Sequence, residues 1–108
     1  MAIQPAEELF RTLADPTRRA VFERLAGEGD LTVGEITAGA GVSQPAVSQH
    51  LAVLRRSGLV TERREGRHVR YAATPEGLKP LTDWMGAYAV FWRERFDRLE
   101  GLLNRMDQ

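Results

Sequence analysis

Residues 43–66 read SQPAVSQHLAVLRRSGLVTERREG, and a change of hydrophobic period inside this stretch decides the fold. Val47, Leu51 and Leu54 recur at i, i+4 and i+7, one apolar stripe of a helix expected over about residues 44–57. Ser43 supplies an N-cap hydroxyl, and Gly58 stands as the residue just past the C-terminus. Beyond Gly58 the period drops to two. Leu59 to Arg64 and Arg67 to Ala73 then read as short strands joined by Glu65-Gly66, a two-residue loop with glycine second. Arginines on both sides of the loop make the hairpin tip basic.

Working upstream, Thr32-Val33-Gly34-Glu35 matches a capping box. The short helix it opens carries Val33, Ile36 and Ala40 inward and stops around Gly39-Ala40-Gly41. Before it, Asp15 caps a helix over about Pro16 to Ala26 that buries Ala20, Val21 and Leu25 and ends at Gly27 and Gly29. A first helix, about Ala6 to Ala14, places Leu9, Phe10 and Leu13 on one face. Downstream, Thr74-Pro75 opens the last helical region, and Pro80 demands a kink or a fresh start near Lys79. From Leu81 to about Met106 one side is apolar and aromatic. The expected fold is mainly α with a β-hairpin wing: a winged helix-turn-helix ordered α-α-α-α-β-β-α, one domain over residues 1–108. Its recognition helix covers about 44–57, its wing about 59–73 and its C-terminal dimerisation helix about 75–106.

Composition narrows the function. The 108 residues fit one domain, without room for a separate catalytic unit. There is no cysteine, which removes disulfides and thiolate metal sites, and His50 and His68 are the only imidazoles. No apolar run is long enough for a membrane span, and Met1 to Pro5 does not open a secretory signal, so a cytoplasmic protein is expected. Net charge is zero, but its distribution is uneven: Ser43 to Tyr71 holds six arginines against two glutamates, while both flanking segments are net acidic. Concentrated basicity of this kind suits a surface that faces phosphates, although a mixed solvated surface is the other reading.

With Val47, Leu51 and Leu54 inward, the outer face of the helix presents Gln44, Pro45, Ser48, Gln49, Ala52 and Arg55. Glutamine bonds bidentately to adenine and serine suits several base edges, whereas Arg55 and Arg56 near the helix end suit phosphates. His50 lies beside the core stripe, where it either touches a phosphate or bonds to a neighbouring turn. In the wing, Val69 and Tyr71 alternate inward while His68 and Arg70 point out, and Arg64 and Arg67 flank the turn as phosphate or minor-groove contacts. Other arginines there are expected to pair with Glu62 and Glu65.

Leu13 to Arg19, Val42 to Leu51, Leu54 to Val60 and Glu65-Gly66-Arg67 followed by Tyr71 together resemble the ArsR (arsenical-resistance repressor) family of winged-helix regulators over about Glu8 to Met106. The resemblance implies a repressor that dimerises through its first and last helices and leaves its operator on a signal. It also implies a departure. The family's arsenic and cadmium or lead sites use cysteines near the third helix, and its zinc and nickel sites use histidines and acids on the last helix. Leu31 to Ile36 holds no cysteine and the last helix no histidine. Asp83, Glu94, Asp97 and Glu100 read as a solvated helix face, so no metal site and no cofactor is expected.

The aromatic stripe is too large for one small domain to bury. Leu9, Phe10, Leu13, Trp84, Tyr88, Phe91, Trp92, Phe96 and Leu99 are therefore expected in a twofold homodimer interface, which would set two reading heads on double-stranded DNA. A pocket for an apolar small-molecule effector built from Trp84, Tyr88, Phe91 and Trp92 is the competing use of the stripe. Enzyme chemistry has little support: Ser48 and His50, two apart on a helix, point in different directions. Gly39-Ala40-Gly41 is a turn, not a phosphate loop. The final helix has four arginines against five acids from Asp83 to Asp107, unlike a membrane-surface helix. A winged helix kept for protein contacts, with DNA binding lost, is the remaining rival.

Overall fold

Three of the helices begin at side chains that satisfy their first free amides. The computed structural model describes residues 5–107; Met1–Gln4, read above for a signal sequence, lie outside them. After α1 (Pro5–Ala14), Asp15 Oδ1 accepts the Arg18 amide at 3.0 Å and opens α2 (Pro16–Glu28). Thr32 accepts the Glu35 amide while Glu35 accepts the Thr32 amide, each at 3.2 Å, the reciprocal box expected at the head of α3 (Val33–Ala38). Ser43 Oγ accepts the Ala46 amide at 3.3 Å and opens α4 (Gln44–Arg56). The helix α2 runs two residues past the expected Ala26: Gly27 stays inside it, and Gly29, at φ 92°, closes it by donating to the Leu25 carbonyl.

The sheet has three strands rather than two. Besides β2 (Val60–Glu65) and β3 (His68–Ala73), the two residues β1 (Leu31–Thr32) pair antiparallel with β3, giving the order β1-β3-β2. The element order is therefore α-α-β-α-α-β-β, a 3-10 helix, then two helices. Glu65 pairs with His68, so the loop is Gly66-Arg67, one residue later than expected. Gly66 takes φ 61° at the first central position and Arg67 stays out of that region, the backbone pattern of a II′ turn.

One core joins these pieces. Val47, Leu51 and Leu54 from α4 meet Leu25, Ile36, Leu59 and Val60, all at most 2% exposed. From α2 it is Phe22, beside Val21 and Leu25, that goes inward, whereas Ala20 is exposed. Leu9, assigned above to a subunit contact, is instead only 3% exposed inside the protomer's own core. Its place there follows from α1 packing on α2, with Thr12 and Ser57 hydroxyls 2.7 Å apart tying α1 to the end of α4. Arg24 reaches from α2 to the Ile36 carbonyl at 2.8 Å and caps the end of α3.

The wing feeds a 3-10 helix (Pro75–Leu78) pressed onto the end of α4. Thr74 donates to the Leu59 carbonyl at 2.7 Å, and a Cβ on Gly77 would lie 2.2 Å from the Gly58 carbonyl oxygen. Then α5 (Lys79–Gly86) starts afresh with Pro80 in its first turn, as expected. A second break was not anticipated: after Gly86, Ala87 and Tyr88 donate to the Trp84 and Met85 carbonyls in a tighter turn, and α6 (Ala89–Met106) follows it. No residue of α6 is buried. The Cα radius of gyration is 18.8 Å, against about 13 Å for a compact chain of this length, because α6 stands away from the core.

Candidate nucleic-acid interface

The outer face of α4 carries the polar row that the sequence predicts. Gln44, Pro45, Ser48, Gln49, Ala52, Arg55 and Arg56 are exposed, and the three core residues behind them fix the helix's rotation. The α3–turn–α4 pair holds this row up: the capping box orients α3, Gly41 at φ 71° turns the chain, and Ser43 restarts it. His50 is half-buried, and its Nδ1 has no hydrogen-bond partner among the described residues. It faces Asp15. That carboxyl is held below its ordinary value chiefly by the bond from the Arg18 amide, with the His50 and Arg18 charges adding to it.

Ladder parity sorts the wing. Pairs Val60–Ala73, Glu62–Tyr71 and Arg64–Val69 share the face turned toward α4, while Arg63–Arg70 and Glu65–His68 share the opposite face. Two acids, Glu65 of that face and Asp30 from the loop before β1, engage its arginines. Arg63 lies 3.4 Å from Asp30 and 3.0 Å from Glu65, and Arg70 lies 3.3 Å from the same Glu65 carboxylate. Arg64, Arg67 and His68 are exposed and make no ion pair among the described residues. Two guanidiniums beside the turn are thus unpaired, the two that sequence reading placed there.

Between α4 and the wing runs a small cleft lined by Ser48, Leu51, Ala52, Arg55, Glu62 and Tyr71. Glu62 bonds Arg55 across it. Burial, then the neighbouring Glu62 carboxylate, pushes the Tyr71 phenol above its ordinary pKa. Sequence reading named Glu62 as a partner for a wing arginine and Tyr71 as an inward wing residue, but brought neither together with Arg55 of α4. Parity alone could have found them, since a two-residue loop at Glu65-Gly66 or at Gly66-Arg67 puts Glu62 on the Tyr71 face, and the observed loop makes the two direct partners.

The other expected surface lies at the opposite end of the chain. Phe10 meets Trp84 edge-on with ring centroids 5.2 Å apart, and Trp84 lies 5.2 Å from Tyr88. Trp84, Tyr88, Phe91, Trp92, Phe96 and Leu99 are between 48% and 65% exposed, a continuous apolar surface on one protomer. Leu13 is half-buried against the core and Leu9 is enclosed by it, so of the three α1 residues expected in the subunit contact only Phe10 projects.

A helix-turn-helix domain model matches residues 13–63, the segment that ends within β2. The chain is 32% identical over 77 residues to the transcriptional repressor SdpR of Bacillus subtilis (strain 168), spanning 71% of this chain and 84% of that protein. It is 48% identical over 75 residues to the HTH-type transcriptional regulator Rv2034 of Mycobacterium tuberculosis (strain ATCC 25618 / H37Rv), spanning 69% of each. A solved structure of an ArsR family transcriptional regulator superposes at a TM-score of 0.72 and 30% identity, covering 86% of this chain and 97% of that one.

Proposed function

The chain belongs to the ArsR family of winged helix-turn-helix, DNA-binding transcriptional regulators, and from that premise we propose that it is a repressor gripping an inverted-repeat operator as a homodimer. The observation that carries this reading is the split of charge on the wing. Arg63 and Arg70 are tied to acids, while Arg64 and Arg67, at the tip, stay unpaired beside the exposed row of α4. In this reading α4 is the recognition helix. Gln44, Pro45, Ser48 and Gln49 meet base edges in the major groove, Arg56 meets backbone, and Arg64, Arg67 and His68 meet phosphates or the adjacent minor groove. His50 supports the helix from its inner edge. The protein acts by binding rather than catalysis, in the cytoplasm; no helix among the described residues is long and apolar enough to cross a membrane.

The homodimer reading rests on the apolar surface of α5 and α6. Trp92, Phe96, Leu99, Leu103 and Met106 recur at alternating spacings of four and three, the pattern of a helix that packs along a second helix. All five are at least half exposed in one protomer. A twofold partner removes that surface from water and sets two α4 helices about one DNA turn apart. These residues offer no thiolate, so an arsenical or heavy-metal signal held by cysteines is not part of the proposal.

The test is fluorescence anisotropy on a labelled duplex from upstream of the protein's own gene, beside a scrambled duplex, across a salt series. Sequence-preferring binding that persists near physiological salt is expected. Weak, equal binding to both, repeated on duplexes selected from random pools, would sink the operator reading in favour of a protein-contact role.

A further inference from the structure

Glu62 is out of place on a surface meant for phosphates. Along the wing face turned to α4 the residues are Val60, Glu62, Arg64, Val69, Tyr71 and Ala73, so Glu62 is its single acid. A carboxylate there repels a duplex. Folding gives no reason for it: the Arg55 and Glu62 side chains are 52% and 41% exposed, and ion pairs so placed contribute little to stability. What distinguishes Glu62 is its reach. It spans the cleft from β2 to the last turn of α4 and bonds the Arg55 guanidinium there. Tyr71, its partner directly across the ladder, walls the carboxylate on the other side.

The geometry points to Glu62 as a specificity-determining positioning residue, whose carboxylate holds Arg55 across the cleft and keeps it out of the set of phosphate contacts. The inference rests on the DNA-binding reading above and adds to it. Phosphate contacts carry no sequence information, and each one strengthens binding to any duplex at all. A guanidinium already neutralised by a carboxylate displaces no counterion. By occupying Arg55, Glu62 lowers sequence-blind affinity and leaves discrimination to the polar row at the front of α4. Arg64 lies one step nearer the tip on the same face and has no such partner among the described residues, so it serves as the built-in contrast.

The test uses the full chain and a random-sequence duplex, read by anisotropy across salt. Glu62→Gln keeps the shape and removes the charge. It is expected to steepen the slope of log K against log salt by about 0.9, the worth of one phosphate contact. Its advantage over the unaltered protein then shrinks about 3.5-fold between about 50 and about 200 mM salt. Arg55→Ala is expected to leave the slope of the unaltered protein unchanged and to abolish the gain in the Glu62→Gln background. Arg64→Ala flattens the slope in both backgrounds, which shows that the assay resolves a single contact. A Glu62→Gln slope equal to the original overturns the proposal while leaving the DNA-binding reading intact. So does an Arg55→Ala loss of a full contact in the unaltered protein. If the unaltered protein shows no salt-dependent binding to any duplex, the reading beneath the proposal falls first. Both side chains are on the surface, so far-UV circular dichroism of every variant is expected to match the original.

Discussion

Individual carboxylates and glycines set the local terms of this fold. Asp15 and Glu35 both head helices, and both have carboxyls held below their ordinary values of 3.8 and 4.5: Asp15 mainly by the Arg18 amide, Glu35 mainly by the Thr32 amide. A depressed folded value means the stabilisation is complete above the ordinary value and is lost as pH falls through the folded one. Asp15→Asn and Glu35→Gln should therefore melt below the original protein at neutral pH, with the gap closing as pH falls below those ordinary values. A gap that stays constant on acidification would show that neither carboxylate's charge matters. Gly77 is constrained by space instead of charge. A methyl group there meets a backbone oxygen that cannot rotate away, so Gly77→Ala should lower the stability measured in urea by about 1–3 kcal/mol or more.

At the scale of elements, the sequence was most legible where one short-range signal acts alone. The caps at Asp15, Thr32 and Ser43, the stripe Val47-Leu51-Leu54 and the restart at Pro80 each depend on neighbours within a turn, and each stands where expected. What escaped reading depends on partners far along the chain. Two residues cannot display alternation, so β1 exists only because Leu31 and Thr32 find Tyr71 and Arg70. The break at Ala87-Tyr88 interrupts an apolar run that continues in both directions, so hydrophobic period gave no warning. The candidate site shows the same division: the exposed row of α4 follows from its stripe, whereas the state of each wing arginine depends on acids brought up by the ladder. That difference is measurable. Arg64→Ala and Arg67→Ala should each flatten the salt dependence of DNA binding by about 0.9, and Arg63→Ala, which loses a guanidinium tied to Asp30 and Glu65, should change it far less. Equal losses at all three positions would mean that the ion pairs dissolve on binding.

For the whole molecule, the question is what α6 rests on. It extends a chain whose longest dimension is 65 Å, with large apolar side chains in water. If a second copy covers them, light scattering after size exclusion will return twice the mass of 12.1 kDa at micromolar concentration. Placing a charge in the middle of the seam, as in Phe96→Glu, should then give a folded monomer with greatly weakened operator binding. A monomeric original protein would refute the twofold arrangement directly. The contact of Gly77 with Gly58 has a different kind of consequence. Gly58 is held by its φ of 79° and Gly77 by the carbonyl that a Cβ there would strike, so almost any amino-acid substitution at either position injures the protein. A genetic selection for loss of regulation would accordingly recover these two glycines alongside the wing arginines, and only the amount of protein left in the cell would tell the two groups of alleles apart.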